Sequence, residues 1–257
     1  MAKRSTKQKR RRRVLTFLTL GLLTVTIVAL AYANAFLLSL PDVSYLAAEN
    51  PDETALMRAR GAERRQTWAS LEDISPHLIR AVILAEDAAF YSHAGFDTHE
   101  IKEAFKRNWE AGRTVRGAST ISQQLAKNLF LSTDRTYTRK LEEAFITYRL
   151  EKSLSKDRIL EIYLNVIEWG DGVYGAEASA RDLYRQSAKW LDPTQAATMA
   201  AMIPNPIRFH PCTSPTSLRP RRDRILRLMA ATGSVSQAVL ETASKRTPLV
   251  ANCGQRR

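Results

Sequence analysis

Residues 136–153 read TYTRKLEEAFITYRLEKS. Leu141, Ala144, Phe145 and Tyr148 fall at i, i+3, i+4 and i+7, which is one stripe of an α-helix. The same periodicity extends on both sides. Ser155 is a suitable N-cap for a helix running through Asn165. Asp192-Pro193 opens another, with proline in its first turn, and Pro204 and Pro206 stop it after Met202. Further helices are expected at His77–Ala85, Thr98–Ala111, Ser119–Leu129, Tyr174–Lys189, Thr216–Ala231 and Val235–Ser244. Glycine is sparse, and strict alternation of apolar and polar residues is not evident. The expected fold class is mainly α, one globular domain behind a single N-terminal apolar helix.

That N-terminal segment is Val14–Leu40, VLTFLTLGLLTVTIVALAYANAFLLSL, which carries no charge. Its length exceeds the ~20 residues that span a hydrocarbon core. Eight basic residues lie within positions 1–13, and the next charge is Asp42. The positive-inside rule therefore places Met1 in the cytoplasm and the chain after Pro41 outside it. A cleaved signal peptide is the competing reading, because Ala31-Tyr32-Ala33 has the A-x-A form. The apolar run, however, continues beyond that point and exceeds a ~7–15-residue secretory core.

The whole chain has 39 Lys+Arg against 26 Asp+Glu, a formal charge of +13 over 257 residues. With the tail set aside, 31 basic and 26 acidic residues leave +5. Most of the basic excess thus belongs to a short tail beside a membrane span, and a nucleic-acid partner is not expected. A hydrophobic content of 44% excludes global disorder. Two cysteines exclude a disulfide-framework mini-protein. Cys212 and Cys253 would lie where a disulfide is permitted, but sequence alone does not give their distance. Four histidines and two widely spaced cysteines give little support for a zinc site, and no metal ligand is assigned.

Three stretches carry candidate chemistry. In Ala85–Asp97, AEDAAFYSHAGFD, the pair Glu86-Asp87 follows an apolar run. A carboxylate delivered from a buried helix end loses water, and its pKa rises toward general-base values; a surface turn closing the helix is the plain alternative. In Arg116–Leu131, RGASTISQQLAKNLFL, Ser119, Gln123 and Lys127 fall at i, i+4 and i+8 on the expected helix, a hydrogen-bonding face for sugar or phosphate or simply a solvated one. Arg135, Arg139 and Lys140 precede Glu143, so this carboxylate is set among cations that could hold an anion or merely pair along the helix. Two carboxylates with several cations and amides suit an activated sugar: a base takes a proton from an attacking hydroxyl while cations receive a phosphate leaving group.

These motifs resemble those of the family-51 peptidoglycan glycosyltransferases, the monofunctional biosynthetic transglycosylases related to the first domain of class A penicillin-binding proteins. EDAAFYSHAG at 86–95 resembles the family's E-D-x-x-F-x-x-H-x-G. GASTISQQLAKNLFL at 117–131 resembles G-x-S-T-I-[ST]-Q-Q-x-x-K-N. Arg139-Lys140 with Glu143, then KDRILEIYLN at 156–165, and LDPTQAATMAAMIPNP at 191–206, resemble the three that follow. The likeness covers about residues 70–210. In the fifth motif Gln195 stands where the penicillin-binding proteins often have Glu.

The resemblance implies a lysozyme-like, mostly helical glycosyltransferase that polymerises lipid II. It implies that Glu86 is the general base and that Glu143, the second carboxylate, lies near the diphosphate, where a divalent cation, Mg or Mn, is compatible. Lys127, Arg135, Arg139 and Lys140 match the diphosphate-side cations. Asp87, Phe90, His93, Ser119, Gln123, Gln124 and Asn128 match positions that shape the substrate cleft. Implied partners are lipid II, the growing lipid-linked glycan, the inner membrane and a cell-wall synthesis complex, with the catalytic domain periplasmic. The segment Phe96–Arg116 reads either as an interface-touching flap or as a plain surface helix.

The expected layout is a basic tail at 1–13, an anchor at 14–40, a stalk at 41–65, the glycosyltransferase core at 66–212 and a helical extension at 213–257. Ser153-Leu-Ser-Lys156 has the S-x-x-K form of an acyl-serine nucleophile, but no K-T-G or S-D-N partner follows it. A glycan hydrolase would put a protonated Glu on an uncharged leaving group and would not need the cations together. An inactive wall-synthesis scaffold would not need both carboxylates.

Overall fold

A computed structural model describes residues 2–61, 64–115, 117–132, 134, 136–246, 250 and 253, with side chains from residue 15 onward. Two units are distinguished, Met1–Asp42 and Val43–Arg257. The first is helix α1 (Ala2–Ser39). Its stretch from Leu15 onward is long and apolar enough to cross a membrane, and Leu15, Phe17, Leu18 and Leu22 are exposed along it.

The second unit is mostly helical. It contains α2 (Ala55–Arg60), α3 (Pro76–Glu86), α4 (Thr98–Ala111), α5 (Ile121–Phe130), α6 (Tyr137–Ser153) and α7 (Lys156–Val166). After these come α8 (Ala176–Tyr184), α9 (Pro193–Met202), α10 (Pro215–Ala231) and α11 (Gln237–Lys245). Local chemistry sets the starts. Ser75, Asp97, Thr136, Ser155 and Ser236 each accept a first-turn backbone N–H, and Thr120–Gln123 and Asp192–Gln195 form capping boxes. Gln195 is accordingly a capping residue, its Oε1 accepting from Asp192 N at 3.0 Å and from Gln186 at 2.7 Å.

Helix α7 forms the centre, with Ile159, Leu160, Ile162, Tyr163, Leu164 and Val166 all buried. It packs on α5, and α5 packs on α6. Helix α9, PTQAATMAAM, is buried at Thr194 and from Ala196 to Met202, and its alanines let α3 and α10 approach closely. The α10 segment expected as an extension therefore belongs to the packed core.

Sequence periodicity overlooked a small sheet of β1 (Arg65–Gln66), β2 (Glu168–Gly170) and β3 (Val173–Tyr174), in the order β1-β3-β2. The β1–β3 pair is parallel and the β2–β3 pair antiparallel. Strands of two and three residues are too short for alternation to register. Gly175 follows at φ +84°, where a Cβ would lie 2.8 Å from Asn165 O. Only glycine fits that close approach without backbone strain.

Two expectations differ from the structure. Residues 41–65 were expected as a stalk, yet Val43, Leu46, Thr54 and Met57 are buried. Arg158 of α7 also donates to Leu46 O, Glu49 O and Asn50 Oδ1 at 2.7–2.8 Å, which ties that segment down. The second difference is the face of α6. The helix forms as expected, but Leu141, Phe145 and Tyr148 are 57, 41 and 55% exposed, and the inward face is Glu143, Ile146, Thr147 and Leu150. The apolar stripe thus marks the helix but not its buried side, and the inward side carries the carboxylate of Glu143.

Cys212 and Cys253 are joined, with Cα atoms 5.0 Å apart and a sequence separation of 41. Closing a loop of that length restricts the unfolded chain by roughly 3–4 kcal/mol. Reduction is expected to lower the melting temperature and to speed amide exchange in α11 before α7. Unchanged melting and exchange on reduction would show that the cross-link contributes nothing to stability.

Candidate active site

The expected base is the last residue of α3. Ser75 and Pro76 start that helix, and Leu78, Ala81, Val82 and Ile83 bury it, so the chain delivers Glu86 at the edge of the core. Burial raises the Glu86 pKa above the ordinary value of 4.5, and Asp87 adds to the rise. A hydrogen bond from Gln124 and the charges of Arg221 and Lys127 oppose it. Glu86 Oε2 accepts from Gln124 Nε2 at 2.8 Å, and Gln124 Oε1 accepts from Tyr163 OH at 2.9 Å.

Asp87 works differently. Its Oδ2 accepts from the Ile121 backbone N–H at 3.0 Å, at the start of α5. Its Oδ1 is 2.9 Å from His93 Nε2. Because His93 Nδ1 accepts from Gly95 N at 3.1 Å, the ring's Nε2–H is the donor to Asp87. Gly95 has φ +90°, and a Cβ there would come within 2.9 Å of Thr147 Cγ2.

The expected face of Ser119, Gln123 and Lys127 is broken by the cap. Helix α5 begins at Ile121 with Thr120 as N-cap, so Ser119 precedes the helix and Gln123 is occupied as the capping partner. Ser119 lines a cavity of about 700 Å³ together with Glu86, Asp87, His93 and Arg224. Phe90 is fully buried, with Lys156 Nζ 4.4 Å from its ring centre, and Asn128 is buried in α5.

The cation cluster lies where α5 meets α6. Glu143 is buried; its Oε2 accepts from Arg139 at 2.9 Å and its Oε1 from Lys140. Arg139 Nε is buried without a hydrogen-bond partner among the described residues. Lys127 has no ion-pair partner among the described residues. Crowding around its ammonium lowers its pKa, Glu143 raises it, and Arg139 and Lys140 lower it again. Lys127, Arg139, Lys140 and Glu143 are thus brought together, whereas Arg135 lies outside the described residues.

Sequence reading missed three neighbours of Glu86. Tyr163 was hidden among the buried apolar residues of α7, where its hydroxyl was the only signal. Arg221 and Arg224 of α10 line a pocket with Glu86, and nothing in their local spacing distinguished them from other surface arginines. Lys156 of the S-x-x-K sequence bonds Glu151 at 2.7 Å, so its ammonium is engaged elsewhere than at Ser153. Among the described residues no group of three or more acidic, His or Cys side chains is arranged for a metal. Both Glu143 oxygens already meet cations, so the protein's own donors do not fit a divalent ion there.

A desolvated carboxylate costs stability while ionised. The sign follows from the raised pKa: the protonated form is favoured by folding, so Glu86 opposes folding above its unfolded pKa and ceases to do so as the pH falls below it. Glu86→Gln is expected to melt a few degrees above wild type near pH 7.5. The gain should shrink as the pH falls toward 4.5. A variant that melts lower at neutral pH would contradict the desolvation account.

Comparison with known proteins identifies the family. The family described as Transglycosylase matches residues 52–230. The biosynthetic peptidoglycan transglycosylase of Methylobacillus flagellatus is 58% identical over 166 residues, covering 61% of this chain and 72% of its own length. The protein of the same name from Nitrosospira multiformis is 50% identical over 195 residues, covering 72% of this chain and 84% of its own. The crystal structure of penicillin-binding protein 1A from Haemophilus influenzae aligns at 18% identity and a TM-score of 0.43, over 74% of this chain and 19% of that one. Matched over most of its second unit and at least half identical to these two relatives across long aligned stretches, the chain belongs to the transglycosylase family.

Proposed function

We propose that the protein polymerises lipid II into glycan strands. The observation that carries this reading is a desolvated carboxylate, Glu86, flanked by the α5–α6 cation cluster that includes Lys127, which has no ion-pair partner among the described residues. Glu86 removes the proton from the GlcNAc 4-hydroxyl of the acceptor. That oxygen forms a bond to C1 of the lipid-linked MurNAc of the growing chain. The bond from C1 to the diphosphate oxygen breaks, undecaprenyl diphosphate leaves, and the anomeric centre inverts.

A base with a raised pKa suits this step, because a hydroxyl proton is transferred more easily to a carboxylate that is a stronger base. Diphosphate needs charge stabilisation more than protonation. Lys127, Arg139 and Lys140 supply it, and the unbonded Arg139 Nε has spare donor capacity. Glu143 holds Arg139 and Lys140 in place. The cluster also favours this reading over a hydrolase, whose uncharged leaving group calls for an acid.

The substrate is bilayer-bound, and the chain is suited to stay there. α1 anchors it in the inner membrane, and the basic tail sets the catalytic unit on the periplasmic side. In α4, Phe105 and Trp109 are 68 and 79% exposed and stack on each other, beside exposed Ile101. With Leu141 and Tyr148 of α6 they offer apolar surface to the lipid interface. Membership of a larger wall-synthesis complex is compatible with this topology. So is the absence of a transpeptidase role, since Lys156 is committed to Glu151 and Phe90.

Purified protein with labelled lipid II tests the proposal. Wild type is expected to form polymer, and Glu86→Gln to lose at least about a hundredfold in rate, the usual scale of a general base. No polymer from wild type, or equal rates for both, would refute it. Lys127→Ala is expected to raise KM for the lipid-linked donor about tenfold, the scale of one charge-assisted hydrogen bond, with little change in melting temperature. An equal loss of stability with unchanged KM would make Lys127 a structural residue.

A further inference from the structure

We infer that Tyr163 is a positioning residue for the base, acting through the side-chain amide of Gln124. The inference rests on the assignment of Glu86 as the base. The chain runs from Tyr163 OH to Gln124 Oε1 at 2.9 Å, and from Gln124 Nε2 to Glu86 Oε2 at 2.8 Å. Its three members come from α7, α5 and α3, and Tyr163 is fully buried, so it does not reach substrate directly.

A glutamine amide has two ends of similar shape and opposite polarity. If it turned over, it would aim a carbonyl oxygen at an ionised Glu86, which is repulsive. The hydroxyl of Tyr163 prevents this, because it donates to the oxygen end and holds the nitrogen end toward the base. Burial keeps the phenol protonated by pushing its pKa well above 10. The hydroxyl therefore remains a donor throughout the working pH range. The amide in turn moderates the base, since its hydrogen bond lowers a Glu86 pKa that burial raises. Tyr163 thus sets both the direction of the carboxylate and how far its basicity rises. A glutamine does not relay a proton under these conditions, so the chain orients and does not transfer.

The other charged groups facing Glu86 are Asp87 beside it, Lys127 from α5 and Arg221 from α10, with Arg224 and His93 on the same cavity. Removing the Tyr163 hydroxyl changes none of these, so a shift in the pH profile would report the amide alone.

The test is the pH dependence of lipid II polymerisation by Tyr163→Phe, with wild type, Gln124→Ala and the double variant alongside. Tyr163→Phe is expected to lose about fivefold in kcat/KM at neutral pH, the scale of one neutral hydrogen bond. Its acidic limb should move to higher pH, because the weakened amide bond no longer offsets desolvation. In the Gln124→Ala background the same change should add nothing. An acidic limb that stays in place, whatever the melting temperature does, overturns the inference. So does a full additional loss in the double variant. If wild type itself forms no polymer, the functional reading fails instead, and the two failures are told apart by that control.

Discussion

The carboxylate of Asp87 ties the end of one helix to the beginning of another, and the geometry of the cleft follows from it. One oxygen accepts the first backbone N–H of α5, and the other accepts from His93, whose second nitrogen is fixed by Gly95. The segment Asp87–Gly95 that follows α3 is thereby closed on itself and tied to the start of α5. An anion at a helix N-terminus is in a favourable field, and it satisfies a backbone donor that would otherwise lack a partner. Glu86, one residue earlier, sits at a helix C-terminus, where the same field disfavours negative charge. Two adjacent carboxylates thus occupy opposite surroundings: one is consumed in holding the fold, and the other is kept short of water and basic.

The remaining parts follow from that junction. With the start of α5 pinned, its first turn places Gln124 against Glu86, and its next turn places Lys127 near α6. The inward side of α6 then brings Glu143, with Arg139 and Lys140, to the same region. On the opposite wall α10 rests on α3 and α9 and adds Arg221 and Arg224. Helix α7 lies beneath, a hydrophobic support whose one aromatic hydroxyl is used by the site. Cations thus approach Glu86 from α5 and from α10, which suits the proposed reaction of two lipid-linked, anionic partners.

Much of this was legible in the sequence, for definable reasons. The starts at Ser155 and Asp192 were clear because both are strong caps, and the expected span 98–111 coincides with α4. Glu86 was legible because an apolar run leads directly into it. The buried face of α6 was not, because a site residue on the inward side reverses the usual inference from apolar spacing. The sheet and the packed 43–57 segment were also missed; both depend on long-range partners, Gly172 O for Arg65 and Arg158 for residues 46–50. Gln123 was read as a substrate-facing amide, whereas the structure uses it as a cap. A local pattern does not reveal whether a polar side chain will be consumed by its own backbone. Residues of α10 reach the cleft only through tertiary packing, so spacing within that helix could not point to them.

Folding keeps Glu86 desolvated and therefore basic. Its carboxyl titration tests this most directly, followed by carbon NMR on protein labelled at glutamate and assigned by the spectrum of Glu86→Gln. The account predicts a midpoint above the ordinary 4.5, in the direction that burial dictates. A midpoint at or below that value would mean that Lys127, Arg221 and the Gln124 amide outweigh desolvation, and Glu86 would lack the basicity on which the proposed reaction depends.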